Sequence, residues 1–409
     1  MSTHPSRPSY AAVLRIPHAR RTFAAVLLAR LSYGVVPLSL MLAVTRAFGS
    51  YAMAGTFMAL FSATSVFLSP ARAALIDRHG PRRVLAPMAG ACTGLLGLLT
   101  VTVWRPGAVP PLVVGAVTAA AGACTPPLGP TMRAVWGRLA PDRALLQRAY
   151  SLDAVAEELL FVSGPLLVGV LVGFAPPGAG VLAGAVLMAA GTAGFLSSPA
   201  VRVVPPGGRE RDRRPAGRRV LRGLGRPVVA AAGVGLALGV TELLVVAFAE
   251  EHGSGGGAGW VLAALSAGSA VGGLLNGAVS WRSGAGTRLP LQAAGLGLVL
   301  CAAGLVHGVG TLALAVASAG LFVSPLITTA YLIADETAPP EARVRAGAWV
   351  NTALNAGGTA GAAVAGVLVG WLPPGPCFAV TGAVMLLTAP AVARRGARTR
   401  GAEHPAAPL

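Results

Sequence analysis

The chain carries one sequence pattern twice, as RAYSLDAVAEELLFVSGPLLVGVLVGF at residues 148–174 and as RAGAWVNTALNAGGTAGAAVAGVLVGW at residues 345–371. At a constant offset of 197 residues the copies share an Arg-Ala pair, a glycine (Gly164 and Gly361) and a Gly-Val-Leu-Val-Gly run. Because the offset is close to half of the 409 residues, the repeat predicts a fold built from two related halves. The alternative is that helices rich in small residues resemble one another by composition, since glycines four residues apart suit close helix packing.

Both copies are apolar over a length that suits a bilayer. The whole chain is 54% hydrophobic and only 11% charged, whereas roughly a quarter of the residues in soluble proteins are charged. Its mean hydropathy is +0.69. This composition excludes most soluble enzymes and predicts that much of the protein surface faces lipid.

Apolar runs of about 20 residues, bounded by Arg, Pro or Gly, predict twelve membrane-spanning helices. They lie at residues 23–45, 51–71, 84–104, 110–132, 150–174, 179–200, 228–249, 258–281, 289–307, 310–333, 347–371 and 375–393. We therefore predict an all-α membrane protein with two pseudo-symmetric bundles of six helices. The N-terminal bundle occupies residues 1–200, a basic linker residues 201–227, and the C-terminal bundle with a short tail residues 228–409.

All 32 basic residues are arginines, and with 14 acidic residues they give a formal net charge of +18. Twenty-nine of them fall before the first predicted span, after the last span, or in the loops on the same side of the membrane. The positive-inside rule makes that side cytoplasmic. It places both termini and the linker inside the cell and the protein in the inner (plasma) membrane. Because the arginines alternate with spans instead of forming one stripe, the pattern argues against nucleic-acid binding.

The loop between the second and third spans, residues 73–85, reads AALIDRHGPRRVL. A tight turn needs glycine, and an acid at a helix end can bind a neighbouring helix N-terminus or an arginine. This loop resembles the signature of the major facilitator superfamily, with Ala73 where the family usually has Gly. The matching residues are Asp77, Arg78, Gly80, Arg82 and Arg83. A degraded copy, GAVSWRSG, follows at residues 277–284 with Trp281 in place of the acid.

The resemblance implies the twelve-helix fold of that family and a secondary transporter whose two halves rock around a shared cavity. It also implies that the Asp77 loop latches the halves on the cytoplasmic side; for Arg82 and Arg83 the alternative is that they only hold the loop inside. Residues 163–173, SGPLLVGVLVG, are similar to the Gly-Pro motif of the antiporter branch. The loosely matching residues are Gly164, Pro165 and Gly169.

As a whole the chain resembles actinobacterial efflux-type members of the family. This likeness implies proton-coupled efflux of a small apolar or amphipathic compound. The alternatives are an importer of a small solute on the same fold and a membrane scaffold that transports nothing.

Ionisable side chains at bilayer depth are functional candidates, because burying a charge there costs about 2.5–3.5 kcal/mol on insertion scales. Arg30 lies about eight residues into the first span, one turn before Tyr33. It either acts as an internal counter-ion or reaches back to the cytoplasmic side.

Three acids open the fifth span. Asp153 and Glu157 share a helix face, and Glu158 lies beside them. Like charges at this spacing repel, which favours the protonated form of one of the three carboxyl groups. A proton-coupled carrier requires such a group. The alternative is that Asp153 is interfacial and pairs with Arg148 or Arg133.

Three further polar residues are candidates in the second half. Glu242 lies roughly 20 Å into the seventh span, in a helix that lines the cavity of the family that the chain resembles. It is a substrate or proton site, or else it belongs with Glu250 and Glu251 at the outer surface. Asn351 and Asn355 in the eleventh span are candidates as well, although asparagine in lipid usually bonds a neighbouring helix.

The fourth span contains Pro126, Pro127 and Pro130, and its first arginine, Arg133, comes at the cytoplasmic end. Many proton antiporters of the family carry an arginine inside this span. The prolines predict either a break that exposes carbonyl groups or simple kinks. The sequence has no metalloprotease or nucleotide-binding motif, and its four cysteines are isolated. We predict a monomer without enzymatic activity, metal or cofactor, whose partners are a small substrate, protons and lipid.

Overall fold

The computed structural model describes residues 9–104, 109–176, 178–202, 216–253 and 257–393. Every regular element within these residues is helical, which confirms the predicted all-α fold. The helices of the first half are α1 (Tyr10–Arg15), α2 (Ala19–Phe48), α3 (Tyr51–Phe67), α4 (Ser69–His79), α5 (Pro81–Trp104), α6 (Pro111–Ala123), α7 (Leu128–Leu139), α8 (Arg143–Val172), α9 (Gly178–Ser197) and α10 (Pro199–Arg202). Those of the second half are α11 (Ala216–Glu251), α12 (Gly257–Ala278), α13 (Ala285–Ala303), α14 (Val309–Thr337), a 3-10 helix (Pro340–Ala342), α15 (Arg343–Leu368) and α16 (Pro374–Ala393).

Each of the twelve predicted spans falls on helical structure. The second span consists of α3 followed by α4, and the fourth consists of α6 followed by α7. Within the described residues, ten stretches are long enough and apolar enough to cross a bilayer. The two predicted spans outside that set are the helices α13 and α15.

Local side chains set several of the helix ends. At the start of α8 the Asp142 carboxylate accepts a hydrogen bond from the Leu145 N–H at 2.8 Å. At the start of α3 the Ser50 hydroxyl accepts one from the Met53 N–H at 3.3 Å. Such caps satisfy N–H groups that have no partner within the helix. Between α4 and α5, Gly80 has a φ of 84°, a conformation that residues with a Cβ rarely adopt.

The chain forms two compact units. The first combines the described residues of 1–214 with Ala338–Thr352, and the second combines those of 215–337 with those of 353–409. In the first unit α5 packs against α6 and α9, and α2 packs against α9. In the second unit the corresponding helices do the same, since α13 packs against α14 and α16, and α11 packs against α16. The same helix pairing thus occurs twice, as the repeat predicts.

The structure describes only the two ends of the predicted linker at residues 201–227. α10 extends to Arg202 and α11 already begins at Ala216, twelve residues before the predicted seventh span. Arginine has a high helix propensity, and the Leu224 and Pro227 side chains near the end of the predicted linker are buried in the second unit. Residues 203–215 of the linker and the predicted tail from residue 394 lie outside the described residues.

One pair of the repeated glycines, Gly164 and Gly361, lies where two helices of the same unit touch. A Cβ atom on Gly164 of α8 would lie 2.5 Å from the carbonyl carbon of Gly34 in α2. A Cβ atom on Gly361 of α15 would clash with the backbone of Leu236 in α11. The repeat therefore preserves a close helix contact in each unit, as small residues allow between membrane helices.

Gly164→Ala is expected to destabilise the folded protein by about 1–3 kcal/mol, because the new methyl group has no room beside Gly34. Gly169→Ala is the matched control, since it lies in the same helix and has no atom within 4 Å of a Cβ at that position. Thermal unfolding of the purified variants in one detergent measures the difference. Equal melting temperatures for the two variants would contradict the close approach of α2 and α8.

Candidate functional site

Four charged side chains meet inside the first unit. Arg30 comes from α2, Arg133 from α7, and Asp153 and Glu157 lie one turn apart on α8. Arg30 Nη1 donates to Asp153 Oδ1 at 2.7 Å, and Arg133 Nη2 donates to Glu157 Oε2 at 2.6 Å. Arg30 Nη2 lies 2.8 Å from Glu157 Oε1, and Arg133 Nε lies 2.9 Å from Asp153 Oδ2. Each arginine thus contacts both carboxylates, and we call these four residues the charge cluster.

Burial differs within the charge cluster. The side chains of Arg30, Arg133 and Asp153 are at most 4% exposed, whereas that of Glu157 is 29% exposed. With both acids ionised the four residues have no net formal charge. Removing an ion from water is costly unless it is paired, so the mutual contacts allow these groups to lie among apolar helices. Glu157 is the most accessible member.

The two acids of the charge cluster are each paired with arginines. The predicted repulsion between Asp153 and Glu157 is not the dominant effect, because both carboxylates contact the same two arginines. Of the two partners considered for Asp153, Arg133 contacts it, whereas Arg148 donates to a carbonyl of its own helix at 3.1 Å. Glu158, the third acid, is partly exposed on α8.

The fourth span is interrupted at residues 124–127, between α6 and α7. The Tyr33 hydroxyl donates a hydrogen bond to the Pro126 carbonyl and accepts one from the Leu128 N–H at 3.5 Å. Pro126 and Pro127 lack the N–H groups that a continuous helix would use, whereas Pro130 fits within the first turn of α7. The prolines were predicted to cause either a break in the fourth span or simple kinks. The structure shows a break.

Arg72 holds this break from the second span, a role that the sequence analysis missed. Its side chain is 5% exposed, and Nη1 donates to the carbonyls of Gly122 and Ala123 at 2.8 and 2.9 Å. Nη2 donates to the carbonyl of Ser65 near the end of α3. Arg72 directly precedes the loop signature, so in the sequence it looks like one more positive-inside arginine. Its acceptors are backbone carbonyls, and those of Gly122 and Ala123 are distant in the sequence, so no side-chain motif reveals them.

The acid of the loop signature binds the start of a helix. Asp77 Oδ1 accepts a hydrogen bond from the Val344 N–H at 3.2 Å, and Oδ2 accepts one from the Arg345 N–H at 2.9 Å. Both donors lie in the first turn of α15, in the part of the chain that packs with the first unit. A carboxylate at a helix N-terminus satisfies free N–H groups and interacts favourably with the helix dipole.

The basic residues of the same loop are exposed. Arg82 donates from Nε and Nη2 to the Leu196 carbonyl at 2.8 and 2.6 Å and so caps the end of α9. Arg78 and Arg83 lie on the surface. In the degraded copy, the Trp281 ring lies 5.2 Å from the Arg288 guanidinium carbon. This loop of the second half thus presents an aromatic ring where the first half has an acid.

The three polar candidates of the second half are on helices that contribute no residue to the charge cluster. Glu242 is exposed on α11 of the second unit, as are Glu250 and Glu251 at the end of that helix. Asn355 is exposed and Asn351 is partly exposed on α15. Glu242 thus lies on an exposed face of α11.

The antiporter-like residues on α8 differ in their surroundings. Gly164 is buried against α2, whereas Pro165 and Gly169 are exposed. In the repeat, Asp153 and Glu157 correspond to the apolar residues Val350 and Leu354. The charged pair is therefore a feature of one copy only.

Comparison with known proteins identifies the fold. The sequence model of the Major Facilitator Superfamily matches residues 22–246 and again residues 227–408. No curated protein sequence shows significant similarity to the chain.

Several solved transporter structures share the fold at low sequence identity. The human organic anion transporter TETRAN is 15% identical with a TM-score of 0.71, over 94% of this chain and 100% of that one. A bacterial homologue of the iron transporter ferroportin is 14% identical with a TM-score of 0.73, over 92% of this chain and 97% of that one. The E. coli fucose:proton symporter FucP is 16% identical with a TM-score of 0.66, over 94% of this chain and 99% of that one.

Proposed function

The chain belongs to the Major Facilitator Superfamily and is a secondary transporter, and we propose that it exports a small apolar or amphipathic compound in exchange for protons by alternating access. The charge cluster carries this proposal, because Glu157 is its partly exposed member and its contacts with two arginines favour the ionised carboxylate, so that a movement separating Glu157 from the arginines would favour uptake of a proton. Protonating Glu157 would leave two guanidinium groups facing one carboxylate, which changes the forces among α2, α7 and α8. A proton that enters at Glu157 can therefore favour a different arrangement of these helices.

The charge balance of the site supports a substrate without net charge. Because two arginines and two acids compensate one another, the cluster has no excess charge for a strongly ionic compound. The similarity of Gly164, Pro165 and Gly169 to the antiporter motif supports exchange. We assign Glu242, Asn351 and Asn355 as further substrate contacts, because polar side chains in membrane spans commonly mark a substrate pathway.

We place the protein in the inner (plasma) membrane as a monomer with its arginine-rich side towards the cytoplasm. In this orientation the charge cluster and the Asp77 loop belong to the cytoplasmic half of the first unit. Residues 1–200 and 228–409 would form the two moving bundles, with the basic stretch at residues 201–227 facing the anionic inner leaflet.

Asp77 would act as a releasable latch. Its carboxylate binds the first N–H groups of α15, a helix that continues into residues of the second unit. Opening the cytoplasmic side would break these two hydrogen bonds, and closing it would form them again. Arg82 caps α9 within the first unit and would keep the loop in place during this movement.

Reconstituted vesicles test the proposed function. With the protein in the membrane, an imposed pH gradient should drive a carried neutral amphipathic compound against the direction of proton flow, and vesicles without protein should show no such movement. A panel of such compounds screened in this way identifies the substrate class. Movement of a compound in the same direction as protons would instead identify the alternative, an importer, and would reject exchange.

A further inference from the structure

The short helix α4 carries two anchors that point to different parts of the first unit. Arg72 binds the carbonyls at the break in the fourth span, and Asp77 binds the first turn of α15. The two residues are five positions apart on one helix of eleven residues. Any movement of α4 relative to the break must therefore strain the contacts of Arg72 or those of Asp77.

The charge of Arg72 is compensated by helix ends. Within the described residues no acidic side chain lies within ion-pair distance of it, and its acceptors are the carbonyls of Ser65, Gly122 and Ala123. Carbonyls at helix C-termini carry partial negative charge. A planar guanidinium can bind several of them at once, which an ammonium group does poorly. Arg72 thus ties α4 to the segment that precedes α7.

Within the first unit, residues 338–352 contact both α4 and α7. Besides the Asp77 contacts, Arg343 Nη1 donates to the Gly137 carbonyl of α7 at 3.2 Å. A Cβ atom on Gly347 would lie 3.5 Å from the Pro130 side chain, also on α7. Arg133, the member of the charge cluster on α7, lies between these two contact points. Thr352 at the end of the segment also donates to the Val66 carbonyl of α3 at 3.0 Å. The docking surface for the segment therefore includes α3, α4 and α7, and α7 holds a charge of the cluster.

We propose that Arg72 is a positioning residue that fixes α4 to the end of α6, at the break from which α7 starts, so that a change of charge at Glu157 alters the docking of residues 338–352 on Asp77. When Glu157 is neutral, Arg133 loses an ion-pair partner and α7 shifts about the break. Because Arg72 ties α4 to that break, the shift disturbs the position of Asp77 under the first turn of α15. This inference rests on the proposed function, because proton exchange gives the coupling its role. The coupling itself, between Glu157 and the contacts of Asp77, can be measured without a transport assay.

Amide hydrogen exchange at Val344 and Arg345 measures this coupling directly. These amides lie in the first turn of α15, where N–H groups have no acceptor within the helix, so their protection depends on the Asp77 carboxylate. The full-length protein is examined in one detergent at one pH by mass spectrometry of the peptide that contains them. Asp77→Ala, which removes both acceptor oxygens, gives the exchange of the undocked segment, and Glu250→Gln, a change at an exposed acid on α11, gives the matched control.

We expect Glu157→Gln to accelerate exchange at Val344 and Arg345 by about tenfold, a typical coupling between two sites. Glu250→Gln should leave it unchanged. In an Arg72→Lys background, which keeps the charge and loses the planar fork, the same Glu157→Gln change should accelerate exchange by less than about threefold on that scale. A merely structural role for Arg72 would raise exchange in every background equally and would not remove the effect of residue 157.

Two outcomes would overturn the proposal. One is an unchanged exchange rate at Val344 and Arg345 in Glu157→Gln, and the other is an equal acceleration with and without Arg72. Where Arg72→Lys yields too little folded protein, Arg72→Gln, which keeps one amide group to donate to the same carbonyls, replaces it in the same comparison. Transport is measured in a separate assay. If Glu157→Gln accelerates amide exchange as expected but the protein moves no protons, the proposed function is rejected and this inference stands. If the protein exchanges protons for substrate but amide exchange does not respond to Glu157→Gln, this inference is rejected and the proposed function stands.

Discussion

Replacing Glu157 with Gln is expected to reduce pH-gradient-driven transport to the level of vesicles without protein, while exchange of one substrate molecule for another continues. Gln keeps the size and hydrogen-bonding capacity of the side chain but cannot take up or release a proton. Both arginines retain Asp153 as a partner, so the helices can still move between states. Only the step that links this movement to a proton gradient is lost.

Two assays on the same vesicles separate these effects. Gradient-driven accumulation reports proton coupling, and counterflow of labelled against unlabelled compound reports the movement itself. Glu158→Gln is the matched control, because it makes the same chemical change at the next residue, which is not a member of the charge cluster. If Glu157→Gln retained full gradient-driven transport, the assignment of the proton to Glu157 would be wrong. If Glu158→Gln alone lost gradient-driven transport, Glu158 would be the residue that carries the proton.

Asp153→Leu is expected to destabilise the folded protein by about 3–5 kcal/mol, the usual effect of removing one partner from a buried ion pair. Asp153 is fully buried and contacts both arginines, so its loss leaves two guanidinium groups with one carboxylate. Glu157→Gln should have a smaller effect, because the Glu157 side chain is 29% exposed and solvent can compensate the change.

The double variant Asp153→Leu with Arg133→Met provides the sharper comparison. It restores the charge balance with Arg30 and Glu157 still paired at 2.8 Å. We therefore expect it to be less destabilised than the sum of the two single variants, as interacting neighbours usually are. Chemical or thermal unfolding in one detergent, with the single variants in parallel, gives the coupling. Strictly additive effects would show that Arg133 and Asp153 do not stabilise each other.

The sequence was sufficient for the parts of the fold that depend on apolar length. Twelve spans follow from the requirement that a helix cross about 30 Å of hydrocarbon, and the repeat at an offset of 197 residues indicates the two halves. The positions of the helix ends were harder to predict from the sequence. Residues 216–227 are helical although the sequence analysis placed them in a linker, and the Leu224 and Pro227 side chains among them are buried in the second unit.

The composition of the site depends on contacts that are distant in the sequence. Arg30, Asp153 and Glu157 stand out because charges are rare inside spans, but their pairing requires knowing which helices are neighbours. Arg133 and Arg72 look like ordinary loop arginines, since both lie at the arginine-rich ends of spans. Only the break at residues 124–127 brings Arg72 onto the backbone of the fourth span. The prolines give the one local signal of this break, and they do not reveal what binds the exposed carbonyls.

The most direct measurement is the pH inside vesicles as a carried compound moves down its own gradient, with no pH gradient imposed. If Glu157 exchanges protons for substrate, entry of the compound should make the vesicle interior more alkaline, and Glu157→Gln should abolish this change while the compound still crosses by counterflow. An internal pH that stays constant in the wild type during transport, or an equal change in Glu157→Gln, would contradict proton exchange through the charge cluster.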